Sequence, residues 1–381
     1  MNTIKVLLID HMGVLNSDRK KYEEFANFSD IELVVLAPHK WEFNYKTYPF
    51  EESTNGKYEI VNAPVAFPGF PHRSFYLASL KKILQKFQPD IIHLFQEPYS
   101  LFAGQTVFFR NLFSPKSKIL FITWENLNHK KYPFLFAPLY KFIEAYTYKN
   151  SACATPITHT AKQVLQQRGF QGKCHVMSWG IDLDLFHKKN VDNLKQDLNL
   201  NGAFTIGFIG RFVEEKGILD LLKAASELQG NIKILLIGDG PLKADLPQIA
   251  HELKLKDRLR IVDTVSSSEI NSYINCMDLL VLPSRASLYW KEQLGRVLVE
   301  AMACEVPVIG SDSGEIPYVV ADAGFVFRSQ DYVDLKNKIE IIQSQRVDVI
   351  ALIQKAKKKV EQEYSWENIV KNLYHLYWDL L

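Results

Sequence analysis

The sequence predicts an α/β protein of two doubly wound domains, each a parallel sheet flanked by helices. Three observations point there. The chain has 381 residues, more than one ordinary core holds, so two domains of about 150–200 residues are expected. Short apolar runs of strand type recur along the chain with helical spacing between them, which argues for parallel strands joined by right-handed crossovers. The composition, 47% hydrophobic and 23% charged, is that of a folded globular protein and not of a disordered one.

The elements follow in order. "IKVLLID" (4–10) is a buried-strand run, and "IELVVLAP" (31–38), "IIHLF" (91–95), "KILFIT" (118–123) and "SACATPIT" (151–158) come after it at spacings that leave room for helices. "SLKKILQKF" and "TAKQVLQQRGF" carry helical periodicity among them. A second set begins at "FTIGFIGR" and continues through "KILLIGDG" (233–240), "LRIVDT" (259–264), "DLLVLPS" (278–284), "VPVIGSDS" (306–313) and "AGFVF" (323–327). "ILDLLKAASEL", "ADLPQIAHEL", "SSEINSYI" and "RVLVEAMAC" supply its helices. The join between the two sets falls near "VMSWGIDLDLFHKKN" (176–190). Two such domains are expected to turn the carboxyl ends of their strands, where open α/β sheets bind ligands, toward a common cleft.

Several function classes are excluded or made unnecessary. No apolar run reaches the roughly 18–20 residues of a membrane span, and "MNTIKVLLID" has charges where a signal peptide needs an apolar core. Cys153, Cys174, Cys276 and Cys304 are scattered without metal-ligand or disulfide spacing, so a reducing, cytoplasmic setting is expected. Net charge is +2, which calls for no nucleic-acid partner, but it is uneven. Residues 1–187 hold 21 Lys/Arg against 16 Asp/Glu, and the remainder 24 against 27. A basic first half is read as facing an anionic surface or substrate, with chance surface composition as the alternative.

The stretch "TIGFIGRFVEEKGILDLL" (205–222) carries the first chemical signal. A strand ends at Gly210 and a helix follows, with Arg211 and Lys216 in the turn between them. A guanidinium offers forked donors matched to phosphate oxygens, and lysine adds a mobile point charge. The second signal is "KEQLGRVLVEAMA" (291–303), with Glu292 and Glu300 on either side of Gly295. A helix starting near Gly295 would turn the free N–H groups of residues 293–296 toward an anion. Glu300, one to two turns in, could accept bonds from a ribose diol, and Glu292 from the hydroxyls of a sugar beyond the phosphates. Cations for phosphates beside carboxylates for hydroxyls describe a nucleotide-sugar pocket.

These motifs together resemble the family-4 retaining glycosyltransferases, which have the GT-B fold of two Rossmann-like domains. "GRFVEEKG" is similar to the family's G-R-x-x-x-x-K-G, "IGDGP" (237–241) to its glycine loop, and "VLPS" with "EQLGRVLVE" (292–300) to its P-S followed by E-x7-E. "VPVIGSDSGEIP" (306–317) resembles the strand and glycine turn behind them. "YSWENIVKNLYHLY" (364–377) looks like the closing helix that crosses back to the first domain. The resemblance implies an acceptor-binding domain at 1–180, a donor-binding domain at 181–363 and the closing helix at 364–381. It implies that Arg211 and Lys216 grip the donor diphosphate, Glu300 the ribose, and Glu292 the donor sugar. The backbone around Leu294, Gly295 and Arg296 would support phosphate or sugar, with Gly210 at the strand end and Val265 near the base. It also implies no cofactor, no metal, and retention by same-face attack, with the leaving phosphate taking the acceptor proton. The acceptor would be a glycan, a lipid-linked sugar or a small molecule, and the enzyme cytoplasmic, at times peripheral on the inner membrane face.

The first half departs from the family pattern. Its glycine-rich loop is shortened to "DHMGVLN", where Gly13 alone stands for it. The frequent histidine after the fourth strand is replaced in "ITWENLNH" (122–129), where Glu125 takes its position, either as a sugar contact or as a cap for the following segment. His93 in "IIHLFQEP" is a second candidate contact, against which stands a packed core role. The basic, aromatic segments 72–87 and 129–142 are read as a surface that could rest on an anionic membrane. "DLD" (182–184) spells a metal-binding pattern, but hard-cation sites need converging oxygen ligands, and a structural turn is the reading preferred. A nicotinamide-dependent enzyme would need G-x-G-x-x-G, which "IGFIGR" lacks and which the proline of "IGDGP" contradicts. No opposed carboxylate pair of glycosidase type emerges either. A non-catalytic nucleotide-sugar-binding protein of the same fold is the alternative.

Overall fold

Successive side chains of a strand face opposite sides of its sheet, and in Ile4–Asp10 (β1) both sides are apolar. Leu7 and Ile9 enter one core cluster, Val6 and Leu8 the other. Such a strand must be covered twice, so it is central. The computed structural model describes residues 3–43, 46–52, 56–128 and 136–381, and all counts refer to those residues. The chain divides into two units, Met1–Gly180 with Trp366–Leu381, and Ile181–Ser365.

The sheet of the first unit joins β1 to Ile31–Pro38 (β2), Glu59–Ala63 (β3), Ile91–Phe95 (β4), Lys118–Thr123 (β5), Cys153–Pro156 (β6) and Lys173–Cys174 (β7). Their order is β7-β6-β5-β4-β1-β2-β3. Every pairing is parallel. Chain order reverses between β1 and β4, which places a ligand crevice at the carboxyl ends of these strands. Helices Lys20–Phe25 (α1), Leu80–Phe87 (α2), Leu101–Phe113 (α3), Ala137–Asn150 (α4) and His159–Gln167 (α5) connect them. The C-terminal helix Trp366–Leu380 belongs to this unit too. Its Tyr377 ring stacks on Phe25 of α1 at 5.6 Å, and its Tyr374 stacks on Phe28 at 4.2 Å.

The second unit repeats the plan. Phe204–Ile209 (β8), Ile232–Ile237 (β9), Leu259–Val262 (β10), Leu279–Leu282 (β11), Val308–Ser311 (β12) and Phe325–Phe327 (β13) form a parallel sheet in the order β10-β9-β8-β11-β12-β13. Ile218–Ser226 (α6), Ser267–Asn275 (α7) and Arg296–Ala303 (α8) are the helices that matter for the site. Both units are thus doubly wound, as the alternation of apolar runs predicts. Among strands, the sequence reading omits β3, the two-residue β7 and two small antiparallel hairpins, Lys40–Phe43 with Lys46–Pro49 and Val65–Ala66 with Phe75–Tyr76. The physical reason is exposure: β3 is an edge strand with only Ala63 buried, so it carries no continuous apolar run. No helix among the described residues is long and apolar enough to cross a membrane.

Candidate functional site

The carboxyl end of β8 starts the site. Gly210 follows the strand, its N–H donating to the Ile237 carbonyl at 3.0 Å. Arg211 comes next and is exposed, and Lys216 closes the 3-10 turn Glu214–Lys216. Gly217 then enters α6 with φ +68, and a Cβ there would lie 1.9 Å from the Pro283 carbonyl oxygen. Only glycine lets the lysine-bearing turn press against the segment that leaves β11. Arg285 fastens the same two segments. Its backbone N–H donates to the Glu215 carbonyl at 2.7 Å, and its guanidinium grips both carboxylate oxygens of buried Asp220 in α6 at 2.7 and 2.8 Å.

The segment after β11 returns the favour at Lys216. The ammonium donates to Oε2 of Glu292 at 2.7 Å and lies over the Trp290 ring, 5.3 Å from its centroid. The same Oε2 accepts the Ser284 hydroxyl at 2.6 Å, and the Glu292 N–H donates to the Ser313 hydroxyl at 3.3 Å. Glu292 is therefore oriented from three sides, although it is itself a loop residue.

Gly295 caps α8 in the left-handed conformation, φ +73 and ψ +44. Among the described residues the N–H groups of residues 293–297 take no hydrogen-bond partner, and they carry the positive end of the helix dipole. One turn on, Glu300 is buried, with Oε1 held by Arg296 Nε at 2.8 Å. Burial raises the Glu300 carboxyl above its ordinary range, against the opposing charge of Arg296. Arg211, Lys216, Glu292, Gly295, Arg296 and Glu300 line one cavity of about 490 Å³ within the second unit, together with Gly210 and Val265. Ile209, Ile237, Ile270 and Phe186 give it apolar walls. Leu294 is not among the lining residues; its side chain is buried in the core, so only its backbone faces toward the helix end. The arrangement sets cations and free N–H groups that can hold an anion beside carboxylates that can accept hydroxyls, with apolar walls for a flat group.

Three residues of this site carry no signal of their own in the sequence. Trp290, Ser284 and Arg285 act through partners that lie next to them only after folding. The family-like "VLPS" ends on Ser284, which is the one hint available.

The candidates of the first unit are described within that unit. Gly13 is buried in the turn His11–Val14 after β1, where a Cβ would come within 2.9 Å of the Tyr22 hydroxyl. Glu125 is buried, and its Oε1 accepts the Leu127 N–H at 3.3 Å, which is the geometry of the capping reading. His93 takes the packed core position, which the sequence reading prefers to a sugar or acceptor contact. His93 has no exposed surface, and its ring nitrogens are taken by Tyr377 Oη at 2.8 Å and Thr155 Oγ1 at 2.9 Å. Burial pushes its pKa down to about 3, so it stays neutral in the core between β4 and the C-terminal helix. A group the sequence reading left without a role is Glu97, whose burial lifts its pKa to about 7. Its carboxylate accepts the Trp124 N–H at 2.7 Å and the Thr123 hydroxyl at 2.8 Å. In "DLD" the Asp182 carboxylate accepts the Asp184 N–H at 2.9 Å, a local turn. Among the described residues no three His, Cys, Asp or Glu side chains gather as metal ligands. Within the basic segment 129–142, residues 129–135 lie outside the described residues.

Comparison with known proteins gives this geometry its setting. Residues 25–185 match the family model "Glycosyltransferase Family 4", and residues 190–359 match "Glycosyl transferases group 1". Between them the two matches take in both units. The chain belongs to the family-4 glycosyltransferases, with the GT-B fold. Among its relatives, N-acetyl-alpha-D-glucosaminyl L-malate synthase of Bacillus anthracis is 27% identical over 53% of this chain and 52% of its own. The putative teichuronic acid biosynthesis glycosyltransferase TuaC of Bacillus subtilis is 28% identical over 65% and 59%. The chain thus aligns with little more than half the length of these curated relatives. In fold it is similar to a glycosyltransferase from Rickettsia africae, with a TM-score of 0.74 at 16% identity and coverage of 100% and 99%. HepE of Anabaena, solved in complex with UDP, gives a TM-score of 0.70 at 17% identity and coverage of 99% and 100%.

Proposed function

We propose that this family-4 glycosyltransferase moves a sugar from a nucleotide-diphosphate donor, UDP-sugar favoured, to a glycan, lipid-linked or small-molecule acceptor, with retention and without a metal. The observation that carries the reading is one cavity lined by Arg211, Lys216, the helix end with the unpartnered N–H groups of residues 293–297, and buried Glu300. A diphosphate meets the cations and the helix end, and the ribose diol donates to Glu300. The base lies along the wall near Val265, and the sugar reaches toward Glu292. The choice of UDP draws support from HepE of Anabaena, whose structures hold UDP and UDP-glucose.

In this reading the bond from the anomeric carbon to the phosphate oxygen breaks as the acceptor oxygen bonds to the same face. The acceptor proton passes to the departing phosphate. Negative charge grows on that phosphate, where donors fixed in advance lower the barrier most, each by a few kcal/mol. Arg211, Lys216 and the end of α8 are such donors, and they do the work a divalent cation does in other transferases. Peripheral attachment to an anionic membrane face belongs to the same reading, through the excess of Lys and Arg in the first half.

A binding screen across UDP-, GDP- and ADP-sugars, followed by release of nucleoside diphosphate in the presence of candidate acceptors, tests it. Tight binding of one donor with turnover is the result expected. Binding without turnover across acceptors would leave a nucleotide-sugar-binding protein, and no binding of any donor would end the reading.

A further inference from the structure

We propose that Arg296 is a positioning residue that ties the two halves of donor recognition together. Its Nε holds Glu300 as an ionised acceptor for the ribose diol, and its two Nη groups take a phosphate oxygen of the same donor. The proposal rests on the donor reading above and deepens it, giving one side chain a part in both contacts.

Local helix chemistry argues against an arginine at this position. Arg296 is the first residue of α8, directly after the Gly295 cap, and the first turn carries no acid. The positive end of a helix dipole disfavours a cation. A cation placed four residues before its carboxylate is also the weaker order of an i,i+4 pair. Arg296 breaks both preferences in its pairing with Glu300. Local rules broken together mark a functional position, where a further partner offsets the cost. The partner this helix end lacks is an anion, since the N–H groups of residues 293–297 have no acceptor among the described residues either.

The guanidinium can serve two partners at once. Nε donates to Glu300 Oε1 at 2.8 Å, while Nη1 and Nη2 have no partner among the described residues. The side chain is half exposed and lines the cavity with Arg211 and Lys216. Five N–H donors in a planar fork let one meet a carboxylate while others meet phosphate oxygens. Glu300 needs this neighbour. Burial raises its carboxyl, and the Arg296 charge opposes the rise. An ionised carboxylate only accepts, so it can take both hydroxyls of a diol, whereas the protonated form gives one oxygen to its own O–H. No other charge nearby takes over this task. In the cavity Lys216 is paired with Glu292. Further along α8, burial pushes the Cys304 thiol up to about 12, with Lys188 and Lys189 acting on that thiol. There α7 presents neutral Asn271. The helix Val349–Lys359 brings Lys357 to Glu305, past the other end of α8.

Uridine and pyrophosphate, titrated separately into the full-length protein, test the two contacts. Uridine is followed from roughly pH 5.5 to 8, a range in which it does not itself ionise. Arg296→Met should bind pyrophosphate about tenfold more weakly than the parent. Its uridine affinity, taken relative to the parent, should fall as pH falls, because Glu300 without the guanidinium takes up a proton first. Glu300→Gln should bind pyrophosphate at least as well as the parent, and placing it in the Arg296→Met background should abolish the pH trend. Arg296→Gln, which keeps a donor without the charge, should show the trend again. Circular dichroism of each variant checks folding. A parental pH profile for uridine in Arg296→Met, or parental pyrophosphate binding, would overturn the proposal and leave the donor reading standing. A loss of both probes by one factor at every pH would assign Arg296 to helix packing and overturn it too. A parent that binds neither probe would overturn both readings.

Discussion

Lys216 and Glu292, 76 positions apart in the chain, meet as an ion pair with Nζ 2.7 Å from Oε2. Two loops at neighbouring strand ends are joined there, one carrying the cation proposed for the diphosphate and the other the carboxylate proposed for the sugar. The pair is only partly exposed, so it is worth more than a surface bridge and costs more when one partner is removed. Lys216→Ala and Arg211→Ala are each expected to lower transfer by tens-fold or more, since one charge-assisted phosphate bond is worth about 1.5–3 kcal/mol. Glu292→Gln should lower it as well. Steady-state rates beside circular dichroism check this. If all three folded variants work at the parental rate, the cavity is not where the chemistry happens.

Chelation separates cationic side chains from a divalent ion. Activity is expected to persist in EDTA, because Arg211, Lys216 and the α8 N–H groups supply the positive charge and no metal ligand set gathers among the described residues. A full loss that magnesium or manganese restores would show that a metal carries the leaving group.

Trp290 is expected to act by positioning Lys216. An ammonium over an indole gains about 0.5–2 kcal/mol, or about two- to thirtyfold in an equilibrium. Trp290→Ala should raise KM for the donor by that order and change kcat less, while Trp290→Phe, which keeps a ring face, should recover most of the loss. An equal effect of both substitutions, or a pure loss of stability, would assign Trp290 to packing alone.

How much of this was legible in the sequence follows from which forces are local. Apolar runs such as "KILFIT" become strands because burial on both sheet faces demands them, and Lys118–Thr123 matches that run. Arg211, Lys216, Glu292 and Glu300 are legible because residue type and spacing around a strand–helix turn already imply an anion site. The supports are not. Arg285 and Asp220 lie 65 residues apart, and no pattern near either one names the other. His93 shows the same limit. A histidine inside an apolar strand run reads more readily as a packed core residue than as a site residue, but its partner Tyr377, 284 residues away, cannot be named from the sequence.

Glu97 offers a prediction that needs no substrate. Burial raises its pKa from 4.5 to about 7 in the folded protein. Between those values the folded state binds a proton that the unfolded state has released, so stability falls as pH rises through this window. The largest loss this implies is on the order of 3 kcal/mol. His93 works in the opposite sense, since its pKa drops from 6.5 to about 3 and the unfolded state takes up the proton first. Its share of stability is complete above 6.5 and is lost as pH falls. The two trends oppose each other between pH 4.5 and 6.5, so the parent alone hides both. Glu97→Gln keeps an acceptor for the Trp124 N–H and removes the titration. Its unfolding midpoint relative to the parent should therefore climb from pH 4.5 to about 7 and level off above. A difference that stays flat across that range would mean Glu97 is already ionised in the folded protein and that its burial costs less than its two hydrogen bonds return.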